Sequence, residues 1–89
     1  MKIQGILEEF KEETSFTIKG KLYLRQIITV IAINNQKLFI ELRGDTIKRV
    51  RAMKIQAGDE VFVDIEFLGS QKGDRYFNNI IAKSIGYDY

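Results

Sequence analysis

Nine of the chain's 14 basic residues lie between positions 19 and 54, where Glu41 and Asp45 are the only acids. The cations are Lys19, Lys21, Arg25, Lys37, Arg43, Lys48, Arg49, Arg51 and Lys54. This stretch carries +7, against −2 for residues 1–18 and −3 for residues 55–89, so a net charge of +2 conceals a strongly polarised molecule. A concentrated positive field attracts phosphates whatever the overall balance. Tyr23 and Phe39 fall inside the same stretch. Cations interleaved with flat rings suit single-stranded nucleic acid, which needs charge for its backbone and faces for its bases.

Other chemistries are narrowed by what the chain lacks. It has no histidine and no cysteine. Histidine triads, imidazole or thiolate zinc sites, histidine acid–base catalysis and a disulfide framework are therefore excluded. Carboxylates are the catalytic groups that remain, and they occupy ordinary places. Glu8, Glu9, Glu12 and Glu13 belong to an early strand, and Asp64 and Glu66 alternate with apolar neighbours. These read as solvated strand faces, so the expectation is a non-enzymatic protein with no metal and no cofactor. Gly44-Asp45 and Gly58-Asp59 read as turns, because neither belongs to a strand–glycine-rich loop–helix motif.

The elements that must carry the charged stretch follow from periodicity. With 89 residues, 45% hydrophobic and 29% charged, the chain reads as one ordinary globular domain, residues 1–85, with a short tail at 86–89. No apolar run reaches the length of a bilayer span and the start lacks a signal-peptide layout, so no membrane partner and a cytoplasmic location are expected. A first strand is predicted over 2–12, then a long polar connection over 13–21. Residues 22–33 are rich in β-branched and aromatic types and read as a strand. Asn34-Asn35-Gln36 is a turn, and 37–43 alternates, with Leu38, Ile40 and Leu42 on one face. Beyond it, Asp45 can cap a short helix over 46–54 that docks Ile47, Val50 and Met53. A strand over 60–68 buries Val61, Val63, Ile65 and Phe67. A hairpin loop over 69–74 leads to the last strand, 75–85.

The predicted class is all-β with one short helix. Five strands with a helix between the third and fourth give the order of the OB-fold, a small Greek-key barrel. An SH3-like barrel is the competing architecture, and the helix argues against it. The OB-fold binds through the outer face of its second and third strands and through two flanking loops. Here those loops are 13–21 and 69–74.

Several short stretches, taken together, resemble a known family. They are Ile3-Gln4-Gly5, Gly20-Lys21 through Arg25-Gln26, Glu41-Leu42-Arg43-Gly44-Asp45, Gly58-Asp59-Glu60-Val61 with Val63, and Arg75-Tyr76-Phe77-Asn78-Asn79-Ile80 with Ala82. In order and over nearly the whole chain, they resemble the bacterial family grouped as domain of unknown function 3127. Its members are single OB-fold domains similar to single-stranded DNA-binding proteins. The family favours Trp at the positions of Tyr23 and Arg43, Asp at Asn79 and an aromatic near Lys83. The first change keeps a ring; the second trades a ring for a guanidinium, which can itself stack on a base.

The candidate site follows. Tyr23 and Phe39 share the expected outer face with Arg25, Lys37 and Arg43. Lys19 and Lys21 flank the first loop, Lys72 and Arg75 the second, and Tyr76 is expected to point outward beside Arg75. Lys48, Arg49, Arg51 and Lys54 read as solubilising residues of the helix. Ile27, Ile31 and Ile33 share the parity of Tyr23 and make their strand apolar on both faces. Either a bulge resets the register or a second copy covers that surface in a homo-oligomer. The expected function is binding of single-stranded nucleic acid, DNA in the first instance, with low sequence preference. The alternative is a protein-interaction module, such as an accessory subunit of a replication or mobile-element complex, that uses the same barrel face.

Overall fold

The computed structural model describes residues 1–88, apart from the side chains of Ser70, Lys72 and Phe77. In chain order the elements are β1 (Lys2–Phe10), β2 (Thr14–Ile18), β3 (Lys21–Ala32), β4 (Lys37–Arg43), α1 (Gly44–Ala52), β5 (Glu60–Lys72) and β6 (Arg75–Gly86). Neighbouring strands run β1-β5-β6-β4-β3-β2, and a further pairing of β1 with β3 closes the first five into a barrel. All pairings are antiparallel except β4 with β6, which meet in parallel at Glu41–Ile81. This is the OB-fold expected from the order of elements.

Strand alternation builds the core. Ile28 and Val30 of β3, Ile40 and Leu42 of β4, and Val61, Val63 and Ile65 of β5 pack inside with Leu7, Ala82 and Ile85. Burying each of the larger aliphatic side chains stabilises the fold by about 1.5–3 kcal/mol relative to exposure. The helix adds Ile47 and Val50, with Met53 partly buried behind them, as its three-residue spacing implies. Among the described residues no helix is long and apolar enough to cross a membrane.

Four expectations need correction. Residues 14–18 are a strand, β2, within what reads as a polar connection. Thr14 to Ile18 pair with Arg25 to Lys21 across a two-residue turn, Lys19-Gly20, in which both residues have positive φ. That is the geometry a tight hairpin requires. The helix therefore lies between the fourth and fifth strands, not the third and fourth. Secondly, the loop at 69–74 is mostly ladder: β5 and β6 remain paired out to Lys72–Arg75, leaving Gly73-Asp74 as the turn. Phe67 consequently rides on a projecting hairpin and is 57% exposed, not buried. Thirdly, α1 begins at Gly44, directly after β4, with Arg43 as N-cap; Asp45 falls in the first turn and makes no cap hydrogen bond. Lastly, the first strand stops at Phe10, not at residue 12. The only irregularity in the β1–β3 ladder lies between Leu7 and Glu9 of β1, so it leaves the parity of β3 unchanged.

Gly5 is where β1 is squeezed between its neighbours. It pairs with Ala32 of β3 and Val61 of β5. A Cβ there would lie 2.4 Å from the Ile31 carbonyl oxygen and 2.7 Å from Val30 Cγ1. The barrel closes only because that atom is missing. Gly5→Ala is expected to destabilise the protein by about 1–3 kcal/mol through overpacking, measured as a lowered urea midpoint; an unchanged midpoint would show that the strands can separate freely there.

Candidate nucleic-acid interface

The outer face of β3 and β4 carries a carboxylate that is almost dry. Glu41 has the outward parity of β4, yet its side chain is only 5% exposed. The β3–β4 register sets Arg25 opposite Arg43 and Ile27 opposite Glu41. Arg43 is two residues from Glu41 on the same face, and Arg25 is its diagonal cross-strand neighbour, within reach of long side chains. Arg25 Nε donates to Glu41 Oε1 and Arg43 Nε donates to Oε2. One carboxylate thus fixes two guanidiniums, each about half exposed. The trio carries a net single positive charge, and each guanidinium retains N–H groups for another acceptor.

Two hollows adjoin this trio. One, of about 360 Å³, is lined by Arg25, Ile27, Lys37, Phe39, Asn78 and Asn79, among others. The other, of about 440 Å³, is lined by Thr14, Ser15, Phe16, Arg25, Arg43 and Asn79, with Glu41. Arg25, Glu41 and Asn79 line both, so the hollows form one open groove. Its cause is topological. Because β4 and β6 are paired only at Glu41–Ile81, the Asn78–Ile80 segment diverges from β4 and becomes a wall.

The rings stand at the two ends of this groove. Phe39 is 56% exposed. Phe16 of β2 lies across from Tyr23 of β3, and their rings stack at 5.5 Å between centroids with 17° between planes. The Lys21 ammonium is 5.5 Å from the centroid of the Tyr23 ring. Tyr23 therefore already has two partners. Phe39 pairs with Thr29, six residues along β3 from Tyr23, so the ends are roughly 20 Å apart at strand rise.

Of the residues singled out from sequence, Arg25, Lys37, Phe39 and Arg43 line the groove. Tyr23 supports Phe16 from behind, and Lys19 and Lys21 lie at the turn of the same hairpin. Arg75 and Tyr76 are exposed at the end of the β5–β6 hairpin and line neither hollow. The side chain of Lys72 lies outside the described residues. Lys37 is not a bare cation: its Nζ is 2.8 Å from Glu8 Oε1, and that carboxylate holds the ammonium above its ordinary pKa. Ile27 and Ile31 are half-buried and Ile33 is exposed. The two-sided apolar character of β3 is thus real. Among the described residues, no cluster of acids could hold a metal ion.

Sequence reasoning misses Phe16, Glu41 and Asn79. Phe16 is legible in retrospect, because Thr-Ser-Phe-Thr-Ile before Lys-Gly is a β-prone run entering a hairpin turn. Glu41 could be paired with Arg43 by parity alone, but Arg25 joins them only once the register is known.

No protein-family model and no curated protein sequence matches the chain. Solved structures do. The chain is similar to the mitochondrial single-stranded DNA-binding protein Rim1 of S. cerevisiae, at 17% identity and a TM-score of 0.63, covering 97% of this chain and 90% of that one. It is also similar to the N-terminal domain of PriB from Thermoanaerobacter tencongensis, solved as a dimer, at 15% identity and a TM-score of 0.53, covering 97% and 91%. At these identities the likeness is one of fold.

Glu41→Gln keeps the shape but removes the charge that both arginines share. Because the arginines are half exposed and can regain water, a loss of about 1–2 kcal/mol is expected from chemical denaturation. No change would mean that the trio does not hold β3 to β4.

Proposed function

We propose that this protein binds single-stranded nucleic acid, DNA in the first instance, without catalysing a reaction and with low sequence preference. The observation that carries this reading is the groove itself. An exposed ring stands at one end, a stacked pair at the other, and two fixed guanidiniums lie between. Bases stack on Phe39 and on the outer side of Phe16, while Arg25 and Arg43 take phosphates. The side-chain amides of Asn78 and Asn79 offer donors and acceptors that suit any base edge. Lys19 and Lys21 on one hairpin and Arg75 on the other extend the field along the strand. Tyr76, 77% exposed, is a further ring for a longer oligonucleotide. The likeness in fold to a single-stranded DNA-binding protein supports the reading. The setting proposed is a cytoplasmic one. A protein partner on the same face is the second reading, favoured by the exposed aliphatic side chain of Ile18, which shares the parity of Phe16.

The ion pairs set the expected strength. Lys19, Lys21 and Arg75 have no carboxylate partner among the described residues, and the trio adds one net charge. Neutralising about four phosphates gives a log–log salt slope of about −2.8 for a single strand. Fluorescence anisotropy with oligothymidylate at low salt tests this. Phe39→Ala is expected to cost about 1–3 kcal/mol of binding with the slope unchanged. Glu41→Gln is expected to steepen the slope by about 0.7, because a competing carboxylate is gone. No binding by the unmodified chain at tens of micromolar protein would end the proposal and leave the protein-partner reading.

A further inference from the structure

The outer edge of β2 is open and carries none of the usual defences. In β2 the closing pair of the hairpin is Ile18–Lys21. Hydrogen-bonded and non-bonded pairs alternate along an antiparallel ladder. Thr14, Phe16 and Ile18 thus exchange backbone bonds with β3, and the backbone groups of Ser15 and Thr17 point away from it. Strand β2 ends the sheet, and among the described residues nothing pairs with that edge. All five of its residues are exposed, and none is charged or proline. Protein edges are normally blunted by lysine, proline or a bulge.

Charge decides what fits there. Glu12 and Glu13 precede the strand, and Lys19 and Lys21 follow it. A second β2 laid parallel would set acids on acids and lysines on lysines. Laid antiparallel, it sets each acidic end against the other copy's basic end. We infer that two copies of this chain pair antiparallel through β2, about a twofold axis at Phe16. In that register Ser15 faces Thr17 of the second copy and exchanges backbone bonds with it. Thr14 faces Ile18, and Glu13 faces Lys19. Glu13 Oε2 is already bound by Arg51 Nη2 at 2.7 Å, which leaves Oε1 for the lysine. Shifting the register by two residues in either direction removes Lys19 from Glu13. The two Phe16 rings meet at the axis, each backed by its own Tyr23, and the six-stranded sheets continue into one another. The pairing is a property of the free chain; a base on the outer side of Phe16 would compete with it, so it is tested without nucleic acid. A five-residue edge supplies few bonds, so the dimer is a weak one that forms at high protein concentration.

The chain has no cysteine, so introduced thiols report the register directly. Facing residues of a non-bonded antiparallel pair have Cα atoms about 4.5 Å apart, within disulfide range. Under mild oxidation, Phe16→Cys is expected to crosslink to itself in high yield. Thr14→Cys alone and Ile18→Cys alone are expected to remain monomeric, whereas a mixture of the two crosslinks. Sedimentation velocity of the unmodified chain is expected to show reversible growth from 10.3 kDa towards twice that mass. Thr17→Pro, which removes an outward N–H but no β2–β3 bond, is expected to abolish that growth. An unmodified chain that stays at its monomer mass at millimolar concentration would overturn the inference. So would equal self-crosslinking at positions 14, 16 and 18.

Discussion

Glu41 is a carboxylate kept nearly dry on the outside of a barrel, and two guanidiniums keep it there. Removing a carboxylate from water costs several kcal/mol unless its oxygens find donors. Both oxygens do, one from Arg25 on β3 and one from Arg43 on β4. The consequence reaches beyond stability. Long arginine side chains on a sheet face ordinarily sample many rotamers, and ordering them on a ligand costs entropy. Here much of that cost is met on folding. The same carboxylate also lowers the positive charge of the groove.

The groove exists because the barrel is closed unevenly. On one side β1 is clamped between β3 and β5, so tightly that only glycine fits at position 5. On the other, β4 and β6 meet at a single pair and diverge. The diverging strand becomes a wall that sets Asn78 and Asn79 beside Phe39. Two long hairpins, β2–β3 and β5–β6, carry exposed rings and cations past the barrel body. The closest packing lies in the closed part, and the exposed rings and cations lie on the open part.

Much of this was legible in the residues, and the misses share one physical origin. Strand alternation exposes the core of β3, β4 and β5 at once, because each inward aliphatic is two residues from the next. Arg25, Lys37, Phe39 and Arg43 are legible for the same reason: parity alone assigns them one face. Both expected loops proved to be hairpins, since Thr14–Ile18 and Gly69–Lys72 are polar enough to pass for connections but find pairing partners. Tyr23 reads as a free ring because its partner, Phe16, is hidden in one of those stretches. Arg25, Arg43 and Lys37 read as free cations because sequence gives their sign but not the register that brings Glu41 and Glu8 to them. Which charges are spent on the fold and which remain for a ligand is a tertiary fact.

We propose that a single strand lies on the outer face of β3 and β4, which Glu41 orders. Amide chemical-shift mapping during titration with a short oligothymidylate tests that placement. Perturbations are expected to concentrate at Phe16, Arg25, Phe39, Arg43 and Asn79, with α1 and the β1–β5 side left quiet. Perturbations centred on α1 or on β1 and β5, with that face unmoved, would contradict it.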